Sequence, residues 1–144
     1  MLSPHMKAEL LDLLPGLTIV DVLGSTESGR QGVSRSGAGG DPTGSFAPSG
    51  TTCVLSADLS RRLEPGETEL GWLARAGRVP LGYLGDPAKT ASTFPVVAGL
   101  RHAVAGDRAV LLPDGRLELH GRDSVCINTG GEKAFAAEVE TALR

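Results

Sequence analysis

Four side chains in this sequence are of types that handle phosphate and sugar oxygens, and each keeps company with glycine. Thr26 and Glu27 close the tetrapeptide Gly24-Ser25-Thr26-Glu27, Asp107 follows Gly106, and Arg122 follows Gly121. A threonine hydroxyl donates to a phosphate oxygen, and a glutamate is a hard oxygen ligand suited to Mg²⁺. An aspartate accepts from both hydroxyls of a ribose, as acidic residues do in other nucleotide sites. The planar fork of arginine suits oxygen-rich targets. Taken singly, each also has a plain structural reading: a capped turn, a solvated carboxylate, a turn aspartate, a salt-bridged surface arginine.

Other candidates carry less. His5, His102 and His120 have spacings that match no ligand set. Cys53 and Cys126 stand far apart without a CxxC arrangement, which reads as two reduced thiols of a cytoplasmic protein. Trp72 and Tyr83 read as core residues. The net charge of −3 comes with no Lys/Arg-rich run, so a nucleic-acid footprint is not expected. No apolar run is long enough to span a membrane, and Lys7, Glu9 and Asp12 interrupt any signal-like start.

The elements that must hold these residues are short, because 20 glycines and 9 prolines punctuate 144 residues. Ser3-Pro4 starts a helix carrying Met6, Leu10, Leu13 and Leu14 at helical spacing, and Pro15-Gly16 ends it. Residues 17–23 form an apolar, β-branched run that predicts a strand buried on both faces of a parallel α/β sheet, with residues 24–27 just past its carboxyl end. Residues 34–50 contain eleven Gly, Ser or Pro in seventeen, which predicts a mobile loop. Residues 51–57 and 69–74 are strand candidates. Asp86-Pro87 caps a short helix ending near Phe94, residues 108–112 and 116–120 make a hairpin around Pro113-Asp114-Gly115, and residues 136–143 read as a helix.

In order along the chain, these residues resemble the adenylate-forming superfamily of acyl-CoA synthetases, luciferases and nonribosomal adenylation domains. Gly24-Ser25-Thr26-Glu27 resembles its GxTE motif. Gly82-Tyr83-Leu84 with Pro87, Thr90 and Phe94 resembles its GYL-x-x-P-x-x-T-x-x-x-F stretch, and Gly106-Asp107, Asp114-Gly115 and Gly121-Arg122 its GD…DG…GR series. Ile127-Asn128, Gly131 and Glu138 fit the opening of its small C-terminal domain.

The resemblance implies an α+β fold: a distorted antiparallel β-barrel subdomain, a preceding helix–strand unit and the start of the small C-terminal domain. The divisions are 1–33 for the end of the α/β nucleotide-binding subdomain, 34–50 for the Gly/Ser/Pro-rich loop, 51–122 for the β-barrel, and 123–144 for the hinge and C-terminal start. It also implies a chemistry. A carboxylate attacks the α-phosphate of ATP to give an acyl-adenylate and pyrophosphate, and the thiol of CoA then displaces AMP.

On that resemblance Thr26 meets the α-phosphate and Glu27 approaches Mg²⁺. Asp21, Val22, Leu23, Gly24 and Ser25 line the nucleotide, Asp107 holds the ribose, and Arg122 reaches the ribose and phosphates. Leu23 stands where the family often carries an aromatic, and Asp21 can accept from the adenine amino group or satisfy nearby backbone. Ser124 falls at the hinge, and Gly131 on the CoA path, although Gly130-Gly131 also reads as an ordinary turn. ATP, Mg²⁺ and CoA are the implied cofactors, and a carboxylic acid of fatty type the implied substrate.

The family's phosphate loop and adenylation lysine are not found, so the chain reads as part of a longer enzyme, inactive by itself and open to self-association through strand 17–23. An adenylation domain feeding a carrier protein, or a non-catalytic nucleotide-site remnant, are the competing readings.

Overall fold

The computed structural model describes residues 2–37, 45–128 and 133–135, with 139 and 143. The chain opens with α1 (Pro4–Leu13). Ser3 caps it through a hydrogen bond from the Met6 amide, Pro4 occupies its first turn, and the amide of Leu14 closes its end on Leu10. Its apolar residues are not its buried face: Met6, Leu13 and Leu14 are exposed, and Lys7 is the residue turned inward.

The predicted parallel, doubly buried strand is instead the outer strand of an antiparallel sheet. β1 (Ile19–Ser25) turns through Thr26–Ser28 directly into β2 (Gly29–Ser36). A hairpin edge has one covered face, so burial alternates: Asp21 and Leu23 point inward, while Val20 and Val22 are 51% and 58% exposed. The apolar run misled because every second residue of it faces out.

The described residues of the expected loop at 34–50 are also mostly strand. β2 runs to Ser36, and β3 (Ser45–Pro48) pairs with it through Gly32↔Pro48 and Val33↔Ala47. Ser34 and Ser36 are buried, and a Cβ on Gly32 would sit 3.1 Å from the Cβ of Phe46. The small residues reflect close packing inside a curled sheet rather than looseness. Residues 38–44 of that expectation lie outside the described residues.

β4 (Thr52–Leu55), β5 (Gly71–Ala76), the short β6 (Val96–Val97), β7 (Leu100–Leu111) and β8 (Leu117–Arg122) complete the main sheet. Its order is β1-β2-β3-β8-β7-β5-β4, with β6 on β7. α2 (Pro87–Thr93) lies between β5 and β6, capped by Asp86 as its sequence predicts. The hairpin around residues 113–115 is present, but its first arm reaches back to Leu100, which places His102 and Asp107 inside a strand rather than in turns.

No strand pairing among the described residues joins β1 to β4, so the expected barrel is not closed. The sheet curls far enough, however, for one core to draw Leu23, Phe46, Val54, Leu73, Ala109 and Leu117 from β1, β3, β4, β5, β7 and β8, with Leu63 beside them. A second core on the opposite face gathers Cys53, Leu55, Ala74, Val97 and Val104. Strand alternation sorts neighbours such as Val54 and Leu55 into opposite cores.

Beyond β8, a single 3₁₀ turn (Asp123–Val125) leads to the separate hairpin of β9 (Cys126–Asn128) and β10 (Lys133–Phe135). The predicted helix at 136–143 and the residue Gly131 lie outside the described residues, apart from Val139 and Leu143.

Candidate nucleotide site

The GSTE tetrapeptide begins in β1 and ends in the tight β1–β2 turn. The register slips by one residue between Leu23 and Gly24, and this bulge brings strand and return strand so close that a Cβ on Gly24 would lie 2.4 Å from the carbonyl oxygen of Gly29. Glycine is therefore required at the head of the tetrapeptide. The turn is braced from inside. Ser25 Oγ accepts from the Ser28 amide at 3.1 Å, Ser28 Oγ donates to Gln31 Oε1 at 2.8 Å, and the Arg75 guanidinium on β5 donates to the Ser28 carbonyl at 2.9 Å. These anchors leave Thr26 exposed and Glu27 half-buried at the tip.

Glu27 is not a free surface carboxylate. Tyr83 Oη donates to its Oε1 at 2.6 Å. That bond first, with smaller help from backbone, Ser25 and the charge of Lys89, holds the Glu27 carboxyl below the usual carboxylate range. The same bond, together with burial, raises the Tyr83 phenol. Lys89 Nζ lies 4.2 Å from the centre of the Tyr83 ring.

Asp107 is 7% exposed, in the interior of β7, directly across the ladder from Arg122 at the end of β8. Arg122 Nε donates to Asp107 Oδ1 at 3.1 Å, while its side chain remains half-exposed. The two motif residues form a single unit, a buried carboxylate paired with a half-exposed guanidinium. No described hydrogen bond or ion pair links this unit to Glu27.

The inward residues of β1 are differently engaged. Asp21 is buried and its carboxylate is taken by Lys7 of α1, so adenine recognition by that carboxylate does not match its present partner. Leu23 sits in the first core instead of presenting a face to a base. Val22 and Gly24 are on the exposed side, and Ser25 is half-buried. Ser124 is exposed in the 3₁₀ turn after β8.

The sequence reading made Tyr83 a core residue, whereas it is half-buried with its hydroxyl on Glu27, and it gave Arg75 no role. A signal for Arg75 was available: it is the one charged residue of the strand Gly71–Ala76, between buried Ala74 and Ala76.

The same fold occurs in a solved structure. The nonribosomal peptide synthetase FmoA3, in its α-methyl-L-serine-AMP-bound form, superposes with a TM-score of 0.66 at 28% identity, over 84% of this chain and 14% of that one. Among curated proteins, the medium-chain acyl-CoA ligase Mig of Mycobacterium avium is 53% identical over 143 residues, which is 99% of this chain and 26% of that protein. The 3-oxocholest-4-en-26-oate–CoA ligase of Rhodococcus rhodochrous is 44% identical over 146 residues, with the same two coverages of 99% and 26%. No family model matches the chain. The chain belongs to the adenylate-forming superfamily. It spans about a quarter of the length of these curated relatives.

Proposed function

We propose that this chain is the part of an ATP-dependent acyl-CoA ligase that carries the GSTE turn, the ribose-binding aspartate and the hinge, in an enzyme that activates a fatty carboxylic acid as its adenylate and passes it to CoA. Similarity to acyl-CoA ligases along 99% of the chain carries this reading. Similarity to a nonribosomal peptide synthetase of Aspergillus fumigatus is weaker, 33% identity over 98 residues, which favours CoA over a carrier protein as acceptor.

Within that enzyme, Thr26 donates its hydroxyl to an α-phosphate oxygen from the tip of the turn. Val22, Gly24 and Ser25 line the nucleotide, while Asp21 and Leu23 support them from beneath. Asp107 accepts from the ribose hydroxyls, and Arg122, loosely held, moves between Asp107 and the phosphates. Ser124 supplies the hinge and Gly131 the passage for pantetheine.

The residues fit Mg²⁺ of one kind. Mg²⁺ takes one or two carboxylates and completes its shell with water and substrate phosphates. Glu27, ionised and fixed at the turn, offers one such carboxylate, and no group of three or more His, Cys, Asp or Glu suited to a metal exists among the described residues. A cation arriving with ATP suits this arrangement, whereas a closed cage of protein ligands does not. Bound there, Mg²⁺ would neutralise charge on the phosphate oxygens.

The enzyme proposed is a cytoplasmic one; among the described residues no helix is long and apolar enough to cross a membrane. By itself the chain neither adenylates nor forms thioesters, and ATP–pyrophosphate exchange by the pure chain would refute this. The direct test of the site is calorimetry of ATP and an acyl-adenylate analogue with Mg²⁺, on the chain and its Asp107→Ala variant. Binding that the substitution weakens roughly 10- to 100-fold, the worth of a hydrogen bond to a charged group, supports the reading. Equal binding by both proteins overturns the assignment of Asp107.

A further inference from the structure

The second motif converges on one atom. Tyr83 enters through Gly82, where a Cβ would lie 2.5 Å from Thr90 Cγ2, so the chain passes close against α2 only because that residue is glycine. Thr90 Oγ1 accepts from the Tyr83 amide at 2.8 Å and donates to the Asp86 carbonyl at 2.7 Å. Pro87 and the Asp86 cap, which accepts from the Lys89 amide at 2.9 Å, start α2 in register. The Tyr83 ring packs against Phe94 with centroids 5.8 Å apart, and Lys89 stands against the ring. Phe94 is buried and has Arg101 over it, and Arg101 in turn donates to the Leu81 carbonyl at 2.6 Å. Gly82, Thr90, Pro87 and Phe94 thus all serve the placement of a single phenol, whose hydroxyl reaches Glu27.

We infer that Tyr83 is a positioning residue for Glu27: its hydroxyl orients the carboxylate so that the remaining oxygen lone pairs meet a divalent cation carried by ATP. The inference rests on the assignment of Glu27 to that cation made above. Carboxylates that ligate metals are themselves held by hydrogen bonds, and loss of such an outer partner weakens metal binding.

The test uses Mn²⁺ in place of Mg²⁺, with ATP present, and reads bound metal by electron paramagnetic resonance on the chain and on Tyr83→Phe and Glu27→Ala. Tyr83→Phe keeps the ring and its packing. The expected result is weaker Mn²⁺ binding by both variants, about tenfold for Tyr83→Phe, with ATP affinity in the absence of metal unchanged. Weakening by Glu27→Ala alone overturns the inference and leaves the Glu27 assignment standing. No effect of Glu27→Ala, or no Mn²⁺ bound by the parent chain beyond that held by ATP, overturns the assignment and the inference with it.

A second reading covers the case in which Tyr83→Phe fails to fold. Tyr83 is the sole tyrosine, so tyrosine labelled with ¹³C at the ring carbon bearing the hydroxyl gives one resonance in the parent chain. That resonance shifts when Mg²⁺ and ATP are added together, and the shift disappears in Glu27→Ala. A resonance indifferent to the metal shows a merely structural contact and overturns the inference.

Discussion

Tyr83 and Glu27 stand 56 residues apart in the chain, yet the phenol of one donates to the carboxylate of the other at 2.6 Å. This contact joins the loop before α2 to the β1–β2 turn, so two motifs that read as separate features operate as one.

The tightness of that turn is testable at Gly24. Its added Cβ would meet backbone, which cannot swing aside as a side-chain tip can. Gly24→Ala is expected to destabilise the chain by about 1–3 kcal/mol, the usual cost of forcing atoms into filled space. Urea unfolding of the two proteins gives the difference directly, and a variant as stable as the parent would show that the hairpin opens freely.

The buried Lys7–Asp21 pair predicts a sharper effect. Both side chains are more than nine-tenths covered, so removing one leaves the other charged and desolvated. Lys7→Met should cost about 3–5 kcal/mol, and adding Asp21→Leu should restore most of the loss. If Lys7→Met alone is neutral in a thermal melt, α1 is not held to the sheet by this pair.

His102 gives the chain an acid sensitivity. Its Nδ1 lies 2.9 Å from the Leu100 carbonyl, and its Nε2 is buried without a partner. Burial foremost depresses its pKa below the ordinary 6.5. A base depressed in the folded state favours the fold above its unfolded pKa. That contribution is lost as pH falls from about 6.5 through the lower folded value. Chemical denaturation across this range should show stability declining, and His102→Asn should flatten that part of the profile.

Cys53 should be chemically silent. It is 4% exposed in the second core, and desolvation raises its thiol, outweighing the opposing charge of Arg62. Since the thiolate is the nucleophile, alkylation of Cys53 in the folded chain, followed by peptide mass spectrometry, should be far slower than in urea. Rapid modification without denaturant would place this strand in a frequently open state.

Local signals were readable wherever a residue acts on its own neighbours. The Ser3-Pro4 start of α1, the Asp86-Pro87 start of α2 and the turn at Pro113-Asp114-Gly115 depend on caps and turn chemistry within a few positions, and each is where its residues predict. Ordered motifs were equally legible, since Gly24, Thr26, Glu27, Asp107 and Arg122 announce themselves by type and spacing. Partnership across the fold was not. The sequence of residues 17–23 is as apolar as a parallel core strand, and only the antiparallel hairpin with β2 makes Val20 and Val22 face outward. The Gly/Ser-rich stretch reads as loose until Ser34, Ser36 and Ser45 are seen buried within paired strands.

Chemistry, in short, follows residue identity, because a carboxylate, a hydroxyl or a guanidinium has the same bonding repertoire wherever it stands. Which carboxylate remains available is a matter of what folds beside it. Asp21 faces Lys7, Asp107 faces Arg122 and Glu27 faces Tyr83. Those three pairings, across 14, 15 and 56 residues of chain, are set by strand register and by the curl of the sheet. Long-range contacts of that kind leave no period or local pattern in a single sequence, so the tertiary structure alone assigned them.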